Sequence, residues 1–208
     1  MHIAIAGNIG AGKTTLSRLL AAHYGWHMLP EVAEANPYLV DFYADMARWA
    51  FHVQVHFLNS RFEQVLEMNR LGGSVIQDRT IYEDAYVFAR NLRESGWMSQ
   101  RDYQTYLQLF GSLSRLVRPP DLLVYLEADL PKLTAQIAKR GNDYEKNLDA
   151  DYLAALQEYY RQWIGNYAES PVIRINATHL DYVANPDDFR DITRRIDKML
   201  PPDFRKGS

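Results

Sequence analysis

Met1-His-Ile-Ala-Ile-Ala-Gly-Asn-Ile-Gly-Ala-Gly-Lys-Thr-Thr15 is a short apolar strand that runs directly into a glycine-rich turn. Gly7 to Thr14 satisfy G-x-x-x-x-G-K-[ST] at every fixed position, and Leu16-Ser-Arg-Leu-Leu-Ala-Ala22 continues as an amphipathic helix. Gly7, Gly10 and Gly12 open backbone conformations closed to other residues. Successive N–H groups from Gly7, Asn8, Ile9, Gly10, Ala11, Gly12, Lys13, Thr14 and Thr15 can then converge on a phosphate chain at the helix N-terminus. Lys13 would reach the β- and γ-phosphates and Thr14 would hold Mg²⁺. The pattern implies a bound nucleoside triphosphate with Mg²⁺.

The rest of the composition narrows the partners. At 208 residues the chain is most simply one domain, 1–208, with a substantial core. A net charge of −3 argues against a nucleic-acid polymer as partner, while focused local charge still suits a nucleotide. The chain has no cysteine, which excludes disulfides, Cys-based zinc sites and thiol catalysis. It opens on a strand and a phosphate loop without the features of a signal peptide, and no apolar run has the length of a membrane span. A cytoplasmic location without membrane partners is the expectation.

Short apolar strands alternate with long helical patterns. Strands are expected at Ile3–Ala6, Trp26–Pro30, Ser74–Asp78, Asp121–Leu126 and Pro171–Asn176. Helices are expected at about Lys13–His23, Asp41–Leu71, Tyr82–Glu94, Gln100–Leu116, Leu130–Lys139, Asp149–Tyr167 and Pro186–Met199. This order predicts an α/β fold, a five-stranded parallel sheet flanked by helices. Ligands of such sheets bind beyond the carboxyl ends of the strands, which places Gly7–Thr14, Glu31, Asp78, Arg79, Glu127 and Asn176 at the lip.

Four stretches could carry chemistry. Glu31 ends the second strand, where a carboxylate could accept a proton from a hydroxyl facing the phosphates, with Glu34 in reserve. Asp78 could reach Mg²⁺ through water, and Arg79 could stabilise a transferring phosphoryl group. The polar stretch at about 139–147 is either a lid bringing Lys139 and Arg140 onto the phosphates or an ordinary basic helix end. Tyr43, Phe51, Gln54 and Phe57 share one side of an aromatic helix. That stripe is plain core unless Gln54 is buried and faces a cleft. His52 and His56 have metal-compatible spacing without a third ligand, and read as structural.

Together these features resemble the deoxyribonucleoside kinases, in particular the bacterial deoxyadenosine/deoxyguanosine kinase branch. The resemblance rests on residues 7–14, Glu31, Glu34-Ala-Asn-Pro-Tyr-Leu39, Phe42-Tyr43, Arg48-Trp-Ala-Phe-His-Val-Gln54, Arg61, Asp78-Arg-Thr-Ile-Tyr-Glu-Asp84 and Lys139-Arg-Gly-Asn-Asp-Tyr-Glu145. It implies a P-loop kinase fold with a lid, and ATP-dependent phosphorylation of the 5′-hydroxyl of a purine deoxyribonucleoside, deoxyadenosine before deoxyguanosine. In the resembling family Glu31 is the general base and Arg79 holds the developing charge. Tyr43 and Glu145 grip the 3′-hydroxyl, Gln54 meets the base edge, and Arg61 with Asp84 completes base recognition. Arg140 would be the lid cation, because Gln136 and Asn142 stand where relatives often carry further arginines. A homodimer and inhibition by an end-product deoxynucleoside triphosphate are also implied. The alternatives are a deoxycytidine kinase, a thymidylate-type monophosphate kinase and a non-catalytic nucleotide-binding subunit. Intact Glu31, Lys13 and Arg79 disfavour the last two.

Overall fold

The computed structural model describes residues 1–205 except Val32, Glu34, Asp143, Tyr144, Lys146 and Asn147, and Leu71 by its backbone alone. Glu34 and part of the expected lid therefore lie outside the described residues. Five strands, β1 His2–Gly7, β2 His27–Leu29, β3 Val75–Asp78, β4 Leu122–Glu127 and β5 Val172–Asn176, form one parallel sheet in the order β2-β3-β1-β4-β5. All five expected strands are present, the second reduced to three residues.

β1 is central and buried along its whole length, which is why its sequence is apolar without alternation. Its two faces nonetheless differ. Ile3 and Ile5 pack with Leu16 and Leu20 of helix α1 (Lys13–Tyr24) and with Ile192 and Ile196 of α9 (Pro186–Asp197). Ala4 and Ala6 leave room on the other face for the large Tyr160, with Leu153 and Leu156, from α8 (Ala150–Asn166). Each such buried Leu or Ile contributes roughly 1.5–3 kcal/mol. The chain leaves β1 toward the β2–β3 side and leaves β4 toward β5, so the carboxyl ends of β1 and β4 flank the switch in strand order where ligands bind.

The helix expected over Asp41–Leu71 is two helices, α2 (Leu39–Ala44) and α3 (Met46–Leu71). The break falls at Asp45, which leaves the helical region (φ −147°, ψ 84°) and accepts the Arg48 N–H on its carboxylate at 3.1 Å. An Asp that can cap a new helix competes with its own place inside one. The stretch expected as one helix from Tyr82 begins at α4 (Ile81–Glu83), opens into a π-helical segment over Asp84–Ala89 and returns to α5 (Arg90–Glu94). α6 (Gln100–Ser114) and α3 bury a third apolar cluster with this segment, and α7 (Leu130–Arg140) follows β4.

Candidate active site

A cleft of about 770 Å³ opens over the carboxyl ends of the strands and runs from the phosphate loop to α2 and α3. Ile9, Gly10, Gly12, Lys13, Thr14 and Thr15 line one end. Two glycines there are obligatory. Gly10 (φ +83°) lies so close to α7 that a Cβ would stand 2.7 Å from the Leu133 carbonyl oxygen. At Gly12 (φ +91°) a Cβ would stand 2.1 Å from the Tyr182 hydroxyl, which donates to the Gly12 carbonyl at 3.0 Å. Gly7, Asn8 and Ala11 shape the loop rather than line the cleft. Asn8 donates from Nδ2 to the Leu153 carbonyl at 2.9 Å and accepts the Ile9 N–H at 2.8 Å.

Lys13 is buried and donates to the Asn8 carbonyl at 3.1 Å. Burial, then the charge of Arg79, press its ammonium down to about 8. Thr14 donates its hydroxyl to Asp78 Oδ2 at 2.5 Å, while the buried Asp78 Oδ1 has no hydrogen-bond partner among the described residues. Burial and the nearby Glu31 carboxylate push the Asp78 carboxyl upward, a direction a bound cation would reverse.

Behind the loop stands a buried charge network. Glu31 Oε1 lies 3.3 Å from Arg79 Nε and accepts from Arg61 Nη2 at 3.2 Å. Burial works against its negative charge, yet Arg79 and Arg61 hold the carboxyl at about 2. Arg61 Nε also lies 3.5 Å from Asp84 Oδ2. Burial drives the Asp84 carboxyl up to about 7 despite that pairing. Arg61 itself is wholly buried and is not among the residues that line the cleft. It stands a layer behind the wall, bridging Glu31 and Asp84.

Arg79 has φ +70°, which a non-glycine residue holds only at a cost of order 1–2 kcal/mol. Its N–H bonds the Ile5 carbonyl at 3.0 Å and its guanidinium lies 4.4 Å from the Phe88 ring centroid. A residue that sequence reasoning left without a role, Glu83, is wholly buried beside it. Thr80-x-x-Glu83 is a capping box, a legible signal, in which Glu83 Oε2 accepts the Thr80 N–H at 2.9 Å. Its second oxygen accepts the Gly7 N–H at 3.3 Å and the Tyr160 hydroxyl at 2.8 Å.

The far end of the cleft carries Tyr43, Gln54, Phe57, Asp84 and Glu145. Gln54 is buried, faces this cleft, and its Oε1 has no partner among the described residues, so the condition for reading the aromatic stripe as more than core is met. Glu145 receives both Arg140 Nε, at 2.9 Å, and Nη2, so the expected lid cation is engaged by an expected sugar ligand in this structure. His52 and His56 pack against Tyr38, with ring centroids at 5.7 and 6.2 Å. No group of three or more metal-ligating acids or histidines exists among the described residues. Glu127 and Asn176, expected at the lip, lie outside the cleft. Glu127 pairs with Arg161 at 3.3 Å, and Asn176 accepts the Thr178 N–H at 3.0 Å.

A phosphate loop, a guanidinium-held carboxylate and a polar pocket in one cleft are the parts of a hydroxyl kinase, and comparison with known proteins agrees. The family model described as deoxynucleoside kinase matches residues 3–201. The chain belongs to the deoxynucleoside kinase family. It is 38% identical to deoxyadenosine kinase of Dictyostelium discoideum, covering 99% of this chain and 86% of that one. It is 34% identical to deoxyadenosine/deoxycytidine kinase of Bacillus subtilis (strain 168), covering 98% and 95%. A solved structure of deoxyadenosine kinase from M. mycoides with bound dATP superposes with a TM-score of 0.83 at 27% identity, over 95% of this chain and 99% of that one. This deoxynucleoside kinase is thus an ATP-dependent phosphotransferase on a P-loop fold. Among its described residues no helix is long and apolar enough to cross a membrane.

Proposed function

We propose that the acceptor is the 5′-hydroxyl of a purine deoxyribonucleoside, deoxyadenosine before deoxyguanosine, and that Glu31 takes its proton. The observation that carries this reading is Glu31 itself. It lines the same cleft as Lys13 and Thr14 and is kept ionised by two guanidinium groups. A proton acceptor must be ionised at neutral pH, and its basicity rises toward the working range as the two guanidinium groups turn from it to the donor phosphates and substrate. Arg79 stands beside it to meet charge on the transferring phosphoryl group, and Lys13 with the loop N–H groups holds the donor phosphates.

Gln54, with an unmatched carbonyl oxygen in the pocket, reads the base edge, and Asp84 reads it beside Gln54 with Arg61 orienting the carboxylate. Tyr43 and Glu145 hold the sugar 3′-hydroxyl, and Arg140 leaves Glu145 for the donor phosphates when the nucleotide binds. Mg²⁺ would be held by the Thr14 hydroxyl and, through water, by the unpaired oxygen of Asp78. So sparse a protein donor set suits an ion that draws its other ligands from phosphates and water, and that supplies electrostatic stabilisation of the triphosphate.

The whole chain is read as one kinase domain, with its lid at about 139–147. The likeness to a kinase with bound dATP supports inhibition by a deoxynucleoside triphosphate whose phosphates take the loop and whose nucleoside takes the acceptor pocket. Leu66 on α3, Leu109 on α6, Leu116 just past the end of α6 and Tyr86 on the π segment are exposed apolar side chains that suit a homodimer face. The absence of cysteine fits the cytoplasm.

Deoxycytidine is the second reading, favoured by the relative named for both deoxyadenosine and deoxycytidine. Steady-state phosphorylation with ATP and Mg²⁺, offering deoxyadenosine, deoxyguanosine, deoxycytidine and thymidine separately, decides between them. Glu31→Gln should lower kcat by about 10²–10⁴-fold on the preferred acceptor. Full activity in that variant would remove Glu31 as the base.

A further inference from the structure

Glu83 is the one wholly buried acid at the site to which the reaction scheme gives no task. A glutamate at the third position of a helix normally closes a capping box with one oxygen at the protein surface. Here the side chain is turned inward and both oxygens are used, on groups from three different parts of the fold. Oε2 accepts the Thr80 N–H at 2.9 Å, one residue beyond Arg79. Oε1 accepts the Gly7 N–H at 3.3 Å, at the root of the phosphate loop, and the Tyr160 hydroxyl of α8 at 2.8 Å.

The need for the Gly7 contact follows from the sheet. β1 pairs with β3 only as far as Ile5 opposite Asp78, whereas its pairing with β4 continues to Gly7 opposite Leu126. In a parallel ladder the N–H and C=O of alternate residues point to the same neighbour. The Ile5 carbonyl faces β3, where it takes the Arg79 N–H at 3.0 Å, so the Gly7 N–H two residues on faces the space that β3 has left. The Glu83 carboxylate occupies that space and stands in for the missing strand. Arg79, held between its own bond to Ile5 and the Glu83–Thr80 bond, keeps a left-handed backbone conformation.

We propose that Glu83 is a positioning residue for phosphoryl transfer: by tying Gly7 to Thr80 it fixes the distance between the phosphate loop and the Arg79 guanidinium. This rests on reading Gly7–Thr14 and Arg79 as the groups that meet the donor phosphates. Glutamine keeps the shape but has one acceptor atom for two backbone donors on opposite oxygens, so one of Gly7 and Thr80 would face an N–H₂ group. Loss of registration should slow the transfer step and leave nucleoside binding largely untouched.

The test is a double-variant cycle of Glu83→Gln with Arg79→Lys in the full chain, measured with ATP and Mg²⁺. It is run on whichever of the four deoxynucleosides the wild type turns over, so a wrong acceptor assignment leaves the test of Glu83 intact. Glu83→Gln should lower kcat by about tenfold or more while the KM for the nucleoside moves by less than about threefold. In the Arg79→Lys background the same change should cost less than about twofold, because the guanidinium it positions is gone. A merely structural role would lower the melting temperature and leave kcat per folded molecule unchanged. That outcome, or equal losses in the two backgrounds, overturns the proposal. If Glu83→Gln does not fold, Glu83→Asp carries the same cycle, since it keeps the carboxylate but is one methylene too short to bridge Gly7 and Thr80. A fall in kcat that vanishes with Arg79→Lys supports the proposal, and an unchanged kcat overturns it.

Discussion

Replacing Arg61 by methionine should make the stability of this kinase fall with rising pH in a range where the wild type is nearly flat. Arg61 is wholly buried and lies 3.5 Å from Asp84 and 3.2 Å from Glu31. Glu31 retains Arg79 at 3.3 Å after the change, but Asp84 loses its ion-pair partner. At an effective dielectric constant near 20, a unit pair at that separation is worth roughly 5 kcal/mol. The Asp84 carboxyl, already at about 7 in the wild type, would then stay protonated throughout the alkaline range. The sign follows from linkage. A carboxyl raised in the folded state binds its proton more tightly there than in the unfolded chain, so stability is lost as pH rises until the folded group ionises. The wild type completes that loss near pH 7, whereas the variant continues to lose about 1.4 kcal/mol per pH unit.

At pH 7 the variant should be about 3 kcal/mol less stable, the low end for breaking a buried pair, because Asp84 takes up a proton at little cost. Between pH 7 and 9 the gap should widen by roughly 2 kcal/mol, or about 4–8 °C in melting temperature for a chain of this size. Urea denaturation of wild type, Arg61→Met, Asp84→Asn and the double variant at pH 7, 8 and 9 measures it. The widening should vanish when Asp84→Asn is the background. A gap constant from pH 7 to 9, or one that widens equally in the Asp84→Asn background, would refute the reasoning.

Gln54→Leu should raise the KM for the deoxynucleoside by about 10²-fold in steady-state assays, since the base loses a matched polar group. Its stability without nucleoside should hold or rise, because an unpaired buried oxygen is removed. Gly10→Ala should lower stability by about 2 kcal/mol or more and weaken ATP binding in calorimetry, given φ +83° and a backbone carbonyl 2.7 Å from the new Cβ. Burial holds the His2 imidazole near 4, opposite Gln77 at 2.9 Å, so the unfolded chain takes that proton first as pH falls. Its contribution is full above about 6.5 and is lost as pH drops toward 4, by roughly 3 kcal/mol in all. His2→Asn should flatten the acid limb of the stability curve by that amount.

What was legible in the sequence was local. The strand, phosphate loop and helix at residues 1–22 follow from side-chain size and glycine placement within a few residues, and the parallel order follows from alternating strands and helices. Lys13 and Thr14 were placed at the lip by the loop motif, Glu31 and Arg79 by strand ends, Gln54 by its side of a helix and Glu145 by family resemblance alone, and the structure gathers all six along one cleft. The break at Asp45 was signalled only by a residue type that is equally common on helix surfaces. The π segment starting at Asp84, the positive φ of Arg79 and the inward turn of Glu83 have no local signal, because each is imposed by packing against α8 and β1 from far along the chain. Arg61 was expected at base recognition by family resemblance alone, with nothing in its local sequence to say which partners it would meet. Those partners are two acids from other elements.

The same network explains how one acid among four is prepared for its task. Glu31, Asp78, Glu83 and Asp84 are gathered around three buried cations, Lys13, Arg61 and Arg79. Burial alone would raise all four carboxyls, and for Asp78, Glu83 and Asp84 it prevails. Glu31 differs because one of its oxygens meets two guanidinium groups, so its carboxyl is held at about 2. It also keeps 17% of its side chain accessible and lines the cleft, while Glu83 is sealed by its backbone partners. Environments that drive neighbouring carboxyls apart give them different tasks. At neutral pH Glu31 therefore combines charge with access, and on these two properties its proposed role as acceptor of a hydroxyl proton rests.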